Sequence, residues 1–415
     1  MFRSLRYRNF RLFFFGQFVS LTGSWIQHTA QAWLVYRLTH DPFMLGLVAF
    51  LSQFPVFVFG LVSGVAIDRT NRLTLLRWTQ AFAMAQSLIL AALTLTGAIE
   101  VWHILILSFL LGVVGAFDMP ARQVFVGEIV AVEDRHNAIA LNSTITNASR
   151  MVGPALAGLL IAVKGEGFCF AINALSFMSV LGALFMIRGV AFLPKNLEAG
   201  HWDEIKRGMV YARGHAGIRI LLLVLAAFSV AGMPFFVLLP VYAGDILHAG
   251  PEGLGLLTGA SGLGSTIGAL ALARRGGSHG LASIMERKLA VFALGLALFA
   301  FSTHFWLSML LALLLGWAAI YMVAGTNTLL QELSVDEFRG RVMSFFIMVF
   351  IGLSPLGSFG MGHMASRLGA PLTTMLAACV CALAAVVCHR RLRKAVCEGL
   401  PPLDSPPTVS IPTAV

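Results

Sequence analysis

Arg150 is the most unusual residue of the sequence, because it stands in an apolar stretch, NASRMVGPALAGLLIA at residues 147–162. An arginine stays charged at physiological pH, and placing it inside a lipid bilayer costs about 3 kcal/mol or more. A carboxylate, backbone carbonyls, water or an anionic substrate must offset that cost. We expect Asp118, on the preceding apolar segment, to be the carboxylate partner, with Arg122 as the alternative partner of Asp118. A substrate that competes for Arg150 would let Asp118 take up a proton, whereas a purely structural ion pair is the competing interpretation.

Two polar stripes accompany Arg150 on the apolar segments. Five polar residues of the first segment follow one another at spacings of three or four, and Asn142, Thr146 and Arg150 do the same on the fifth, so each set lies on one helical face. We expect both stripes to line a central cavity, with Asn147 and Asn173 nearby. Hydrogen bonding between helices without substrate contact is the alternative. The stripe of the first segment consists of Gln17, Ser20, Ser24, Gln27 and Gln31.

His28 lies beside the first stripe and is a further candidate for proton coupling, because a histidine titrates near neutral pH. A polar packing residue is the alternative. The sequence has no phosphate-binding GxxxxGK[ST] loop, no HExxH or GxSxG motif and no Cys/His cluster with metal-site spacing. It therefore predicts no catalytic residues, no metal site and no cofactor, and an enzyme is a poor interpretation.

The composition explains what must position these residues. Of the 415 residues 58% are hydrophobic and only 12% are charged, whereas soluble proteins carry about 25% charged residues. Apolar stretches of about 20 residues, the length that crosses a bilayer, recur along the chain and predict twelve membrane helices. The expected spans are 10–37, 43–67, 73–97, 102–122, 137–163, 167–188, 219–244, 253–274, 286–303, 305–331, 341–366 and 370–389.

The charges of the connecting loops set the orientation of these spans. When successive loops are assigned to alternate sides of a membrane, nearly all of the 29 Lys and Arg residues fall on one side, with only Arg37, Lys164 and Arg367 on the other. Positively charged loops stay in the cytoplasm, so both termini are expected there. The net charge of +10 is therefore explained by topology and does not indicate a nucleic-acid partner.

The two halves of the chain resemble each other. HDPFMLGL at 40–47 and HAGPEGLGLL at 248–257 match at Pro, Leu and Gly 209 residues apart, and Glu128 and Arg135 recur as Glu332 and Arg339 at a distance of 204. Such echoes favour a duplicated six-helix unit, with the substrate site between the repeats. We expect six-helix bundles at 1–188 and 217–390, a cytoplasmic linker with an amphipathic helix at 189–216, and a basic, then Pro-rich disordered tail at 391–415.

GVAIDRTNRL at residues 64–73 resembles the loop 2–3 motif of the major facilitator superfamily, Gly-x-x-x-Asp-Arg/Lys-x-Gly-Arg/Lys-Arg/Lys. Asn71 replaces the usual Gly, a position that Asn can fill because it also visits the left-handed backbone. The resemblance implies that the Asp of the motif acts as a conformational latch, and charged clusters at the equivalent place of both halves are expected to form gate salt bridges. The latch and gate candidates are Gly64, Asp68, Arg69, Arg72, Arg122, Glu128, Arg135, Glu332, Asp336, Arg339 and Arg341.

GPALAG at residues 153–158 resembles the helix 5 antiporter motif of facilitator exporters, with Gly153, Pro154 and Gly158 in place. Longer stretches, such as AFDMPARQVFVGEIV and INALSF, are similar to the bacterial exporter branch that includes the enterobactin exporter and macrolide efflux proteins. One departure is Ser108, which stands four residues before Gly112 where drug/proton antiporters often carry an Arg. The usual proton relay is therefore absent.

The resemblance implies an all-α polytopic protein with twelve transmembrane helices in two pseudo-symmetric six-helix bundles, in the bacterial inner membrane. The expected function is export of a small amphipathic, siderophore-like or drug-like molecule by alternating access, coupled to proton antiport. The expected partners are the small-molecule substrate, protons, membrane lipids and, as a further class, periplasmic efflux components. A lysophospholipid flippase of the same fold and a non-transporting membrane sensor or scaffold are the alternatives.

Overall fold

A computed structural model describes residues 3–189, 201–275 and 280–397. This part of the chain contains thirteen α-helices and no strand. Two short 3₁₀ segments, Arg3–Arg6 and Val132–Asp134, precede α1 and α5. The helices are α1 (Arg8–Thr39), α2 (Pro42–Arg69), α3 (Arg72–Leu95), α4 (Val101–Glu128), α5 (Arg135–Lys164), α6 (Glu166–Met186), α7 (His201–Gly214), α8 (Ala216–Ile246), α9 (Gly250–Arg275), α10 (Leu281–Ala300), α11 (Phe305–Leu333), α12 (Asp336–Leu368) and α13 (Ala370–Cys397).

All helices except α7 coincide with the twelve expected spans. Ten of the helices in the described ranges are long and apolar enough to cross a membrane. The other two, α1 and α10, are 32 and 20 residues long but carry polar stripes or charges, such as Glu286 and Lys288 on α10. Both helices pack inside their own half of the molecule, α1 against α5 and α6, and α10 against α11 and α13. The all-α polytopic fold is confirmed.

Local sequence signals explain where several helices begin. Pro42 occupies the first turn of α2, and Asp41 caps that helix by accepting a hydrogen bond from the Phe43 N–H at 2.9 Å. Asn71 caps α3 in the same way, through the N–H groups of Leu73 (3.0 Å) and Thr74 (3.3 Å). The φ of Asn71 is −62°, so the explanation by a left-handed backbone was wrong. Asn replaces Gly here because it is a good helix cap.

The loops after α1 and α8 share an uncommon backbone feature. His40 and His248 both have φ of 48°, and they are the non-glycine residues with positive φ in the described ranges. A histidine with left-handed backbone therefore follows α1 and α8, shortly before Pro42 and Pro251. The repeat that the sequence predicted is present in the backbone as well as in residue types.

The two halves meet along two pairs of helices, α2 with α12 and α5 with α9. In each pair two glycines face each other. A Cβ on Gly46 would lie 2.9 Å from the Cα of Gly362, and a Cβ on Gly158 would lie 3.1 Å from the Cα of Gly255. Real side chains do not fit at such distances, so glycine is required for the helices to cross this closely. The end of the molecule that contains these crossings is called the closed end below.

A second pair of equivalent contacts lies at the opposite end. The Tyr7 hydroxyl donates to the buried carboxylate of Asp134 at 3.0 Å, which fastens the segment before α1 to the start of α5. In the second half, Tyr211 of α7 stacks on Phe338, with ring centroids 4.4 Å apart, and its hydroxyl accepts from the Val335 N–H at 3.2 Å. The α7 helix lies in the expected linker. The rest of that linker at 190–200 and the tail at 398–415 lie outside the described residues, whereas α13 continues past residue 390 to Cys397.

Candidate functional site

A cavity of about 470 Å³ lies between the two halves. Its walls differ in chemistry. Polar residues from α1, α5 and α6 form one wall, called the polar wall, whereas residues of α8 and Leu254 of α9 form an apolar wall. The helices α9 and α12 add the polar side chains of Thr258, Ser261, Ser354 and Ser358. The polar wall contains Ser24, Gln27, His28, Gln31, Arg150 and Asn173, and the apolar wall contains Met233, Phe236, Val237, Leu239, Pro240 and Leu254.

The apolar wall comes from an irregular stretch of α8. Residues Phe228–Gly232 and Tyr242–Ile246 form π-helical turns, and Met233–Leu238 is 3₁₀-helical. Pro234 and Pro240 interrupt the regular hydrogen bonding here. Irregular backbone inside a membrane is tolerated where it is buried in protein or lines a cavity, which is its position here. Hydropathy and helical periodicity do not distinguish this stretch from a regular span, although its two prolines are a usable signal.

Arg150 is one of the lining residues, and its guanidinium lies over the ring of Trp25, 5.7 Å from the centroid. The ring of His28 is in turn 5.7 Å from that of Trp25. The distance between Arg150 and the ring of Trp25 allows a cation–π contact of about 0.5–2 kcal/mol. Among the described residues no carboxylate forms an ion pair with Arg150. The face of Trp25 therefore offsets its charge only partly.

Asp118 does not pair with Arg150. Its carboxylate accepts hydrogen bonds from Thr79 Oγ1 and Gln80 Nε2, both at 2.7 Å, and lies 3.1 Å from the guanidinium of Arg122. The expected pairing with Arg150 was wrong, and the alternative partner Arg122 is the one observed. The reason is helical spacing, because Arg122 lies one turn from Asp118 on the same helix. Asp118 is buried between α3 and α4 and does not line the cavity.

Gln27 is the centre of a hydrogen-bonded network between helices. Its Oε1 accepts from Ser87 Oγ at 2.7 Å and from Asn173 Nδ2 at 2.8 Å, and its Nε2 donates to Gln86 Oε1 at 2.9 Å. These bonds join α1, α3 and α6. Gln27 and Asn173 therefore combine the two interpretations that the sequence left open, since they border the cavity and also hold the bundle together.

Gln31 and Ser108 form a second link. The Gln31 Nε2 donates to Ser108 Oγ at 2.8 Å, and that hydroxyl donates to the carbonyl of Ile104 at 2.6 Å. Ser108 borders the cavity and is 1% exposed. A serine with both hydrogen bonds made thus stands where related antiporters often carry an Arg. Among the described residues that line this cavity, Arg150 is the one arginine.

The remaining expected cavity residues lie elsewhere. Gln17 and Ser20 are buried in the packing of the first half, and neither lines the cavity. Thr146 and Asn147 bond to carbonyls one turn earlier on their own helix, those of Asn142 (3.0 Å) and Ser143 (2.9 Å). Of the nine expected cavity residues, Ser24, Gln27, Gln31 and Asn173 border the cavity.

The glycines of the antiporter-like motif position two neighbouring helices. A Cβ on Gly153 would lie 2.5 Å from the Cβ of Trp25 on α1, and Gly158 meets α9 as described above. The second half repeats this arrangement 204 residues later. A Cβ on Gly357 would lie 2.5 Å from the carbonyl of Val230 on α8, and Gly362 meets α2. This copy is hard to recognise from the sequence, because Ser358 takes the place of Pro154.

The gate candidates form pairs within each half. Arg72 is buried and contacts Glu128, and Arg339 lies 2.6 Å from Asp336. Arg135 donates to the carbonyl of Gly127 at 2.9 Å, and Arg339 donates in the equivalent way to that of Gln331 at 3.1 Å. The side chain of Asp68 lies outside the described part of the structure.

The other gate candidates are less enclosed. Glu332 and Arg69 are exposed, and a Cβ on Gly64 would meet nothing within 4 Å. Arg341 lies over the ring of Phe338, 5.0 Å from its centroid. The described pairs thus each belong to one half.

A contact between the halves lies at the closed end. The Tyr36 hydroxyl of α1 donates to the Asp245 carboxylate of α8 at 2.6 Å. Phe43 of α2 also meets Phe359 of α12, with ring centroids 5.5 Å apart. Together with the glycine crossings, these contacts join the two halves on this side of the cavity.

A larger crevice of about 720 Å³ lies between α10 and α13. Its walls are mainly apolar, with Glu286, Arg287, His389 and Arg390 at one end. It belongs to a single half and shares no residue with the central cavity. The central cavity is the better functional site despite its smaller volume, because both halves build it.

Two six-helix halves around a central cavity, with paired helix crossings between them, are the architecture of many membrane transporters. The family model described as transmembrane secretion effector, MFS_3, matches residues 1–411. The chain therefore belongs to this exporter family of the major facilitator superfamily and is a multi-pass membrane transporter, not an enzyme.

Curated relatives extend over most of the chain. The staphyloferrin A transporter of Staphylococcus aureus is 26% identical over 362 residues, which cover 86% of this chain and 90% of the relative. Macrolide efflux protein A of Streptococcus pyogenes is 25% identical over 399 residues, covering 92% and 96%. The multidrug efflux pump Tap of Mycolicibacterium fortuitum is 25% identical over 379 residues, covering 86% and 89%.

Solved structures show the same fold. A bacterial homologue of the iron transporter ferroportin, in its inward-facing state, superposes with a TM-score of 0.70 at 20% identity and covers 92% of this chain and 98% of its own. A peptide transporter of the POT family in complex with sulfate has a TM-score of 0.75 at 12% identity, covering 94% and 95%.

Proposed function

We propose that the protein exports a small amphipathic molecule across the bacterial inner membrane by alternating access. The observation that carries this proposal is the duplicated closure of the cavity, in which Gly46 meets Gly362 and Gly158 meets Gly255. Equivalent crossings on both sides of one cavity can separate as the halves rock, and this opens the closed end. The export direction rests on the secretion family and on efflux relatives.

The charge distribution supports an orientation with both termini in the cytoplasm. The closed end contains Tyr36 and Pro42, on the side to which the alternating assignment gives only three basic residues, Arg37, Lys164 and Arg367. The opposite end contains the Arg-rich gate clusters, which positive-inside topology assigns to the cytoplasm. The structure then corresponds to an inward-facing state, in which a substrate enters the cavity from the cytoplasm.

Proton antiport is proposed to drive the export, with His28 as the coupling residue. Of the three candidates, Arg150 stays charged and Asp118 is engaged away from the cavity, bound by Arg122, Thr79 and Gln80. His28 lines the cavity and reaches Arg150 through the ring of Trp25. A proton on His28 and a substrate in the cavity therefore act on each other at close range.

The proposal is tested by untargeted mass spectrometry of cells and medium from a deletion strain, a wild-type strain and a complemented strain, in iron-poor and iron-rich growth. The expected result is a siderophore-like or other small amphipathic metabolite that accumulates in the mutant cells and is depleted outside. A shift in lysophospholipids alone would instead support a lipid flippase. Unchanged metabolites together with unchanged drug susceptibility would favour a sensor or scaffold.

A further inference from the structure

The central cavity contains a cation that the described residues do not neutralise. The charge of Arg150 borders the cavity, and its nearest described interaction is the face of Trp25, which offsets a charge only partly. Arg122, by contrast, is paired with the carboxylate of Asp118 at 3.1 Å. An arginine left without such a partner at a cavity wall is placed to bind an anion from outside.

The net charge of the cavity lining also favours an anionic ligand. No Asp or Glu occurs among the described residues that line it. Its titratable neighbour His28 is either neutral or positive, so the electrostatic field of the wall stays positive across the physiological pH range. In a partly desolvated site such a field attracts an anion and repels a cation more strongly than it would in water.

The shape of the cavity adds a second requirement. Met233, Phe236 and Val237 of α8 give the cavity an apolar surface, whereas α9 and α12 add the hydroxyl groups of Thr258, Ser261, Ser354 and Ser358. A molecule with an acidic group for Arg150 and an apolar part for α8 therefore fits this lining. The planar guanidinium favours carboxylate or a related oxyanion, which it can bind through two hydrogen bonds.

We propose that the cavity binds amphipathic organic anions, with the carboxylate at Arg150, and that it discriminates against organic cations of the same size. This inference rests on the proposed export function for its physiological meaning, but binding itself can be measured without transport. The family includes an exporter named for macrolides, and the inference predicts that cationic drugs of that kind are poor ligands of this chain.

The test uses the full-length protein in nanodiscs and two fluorescent probes with the same naphthalene ring, dansylglycine as the anion and dansylcadaverine as the cation. Energy transfer from tryptophan reports binding, and Trp25→Phe identifies the share that comes from the cavity. Dansylglycine is expected to bind more tightly than dansylcadaverine. Arg150→Gln should weaken dansylglycine by about ten- to a hundredfold, in line with a lost charge-assisted hydrogen bond.

Two further variants separate the site from a general charge effect. Arg150→Lys keeps the charge without the planar fork and should lose only part of the affinity. Arg367→Gln removes an exposed charge at the end of α12, outside the cavity, and should leave the affinity for dansylglycine unchanged. Equal affinity for both probes, or equal loss of both in Arg150→Gln, would overturn the inference.

Failure of this inference and failure of the proposed function can be told apart. If the deletion strain retains a metabolite that the wild type exports, but the two probes bind equally well, the anion site is refuted and the export function is supported. If dansylglycine binds more tightly than dansylcadaverine but no exported metabolite is found, the anion site is supported and the export function is not.

Discussion

Gly362 and Gly46 meet backbone to backbone where α12 crosses α2, and a Cβ on Gly362 would lie 2.8 Å from the Cα of Gly46. The equivalent glycines of the other two helices meet in the same way. The closed end therefore depends on the absence of four side-chain atoms, one at each of these glycines.

Gly362→Ala should weaken this closure. The added methyl group would press against the carbonyl of Pro42 at 2.7 Å, and overpacking of this kind costs about 1–3 kcal/mol. The expected results are a lower melting temperature of the purified protein and reduced export. Gly360→Ala is the matched control, because a Cβ there meets nothing within 4 Å. Equal effects of the two substitutions would contradict the proposed role of the crossing.

Asp118→Asn should destabilise the first half. The carboxylate holds Arg122, Thr79 and Gln80, and its neutralisation leaves Arg122 without its charge partner, at a cost of about 1–3 kcal/mol. The double variant Asp118→Asn with Arg122→Gln should recover part of this loss, and a double-mutant cycle in thermal unfolding measures the coupling. A stable Asp118→Asn variant that lost only proton-driven transport would show that Asp118 couples protons after all.

Arg150→Met should have the opposite effect on stability. No carboxylate among the described residues loses a partner when this charge is removed. A stabilising substitution commonly raises the free energy of unfolding by about 0.5–2 kcal/mol. We expect an equal or higher melting temperature together with loss of export. If Arg150→Met unfolded at a clearly lower temperature, Arg150 would be a structural residue.

Tyr36→Phe tests the contact between halves at the closed end. The substitution removes the hydrogen bond of 2.6 Å to Asp245, which is worth about 1–3 kcal/mol because its acceptor is charged. Hydrogen exchange of the backbone around residues 40–46 and 244–250 should become faster. Asp245→Asn should act similarly, and the double variant should be little worse than either single one. Unchanged exchange in all three would remove this bond from the gate.

His28→Asn tests the coupling proposal. Asparagine keeps a polar side chain of similar size but cannot gain a proton, so binding of substrate should persist while acceleration by a proton gradient disappears. Counterflow and gradient-driven transport in proteoliposomes measure the two properties separately. Export that still follows the gradient would rule out His28 as the coupling residue.

The sequence predicted the helices well because membrane spans depend on composition and length, which are local properties. The pairing of Asp118 was harder to predict. Both Arg122 and Arg150 were compatible with it, and the packing of α4 against α3, where Asp118 binds Thr79 and Gln80, is not a local property of the sequence. Helical periodicity likewise identified one polar face of α1, but Gln17 and Gln31 lie on that face at different depths, and depth decides which of them reaches the cavity. The apolar wall from α8 depends on irregular backbone that periodicity does not describe.

The segment before α1 and helix α7 occupy equivalent places in the two halves. Tyr7 with Asp134 and Tyr211 with Phe338 are contacts 204 residues apart, so each half has its own N-terminal anchor. Helix α7 therefore belongs structurally with the second half, to which it is fastened, and is more than a spacer between the halves.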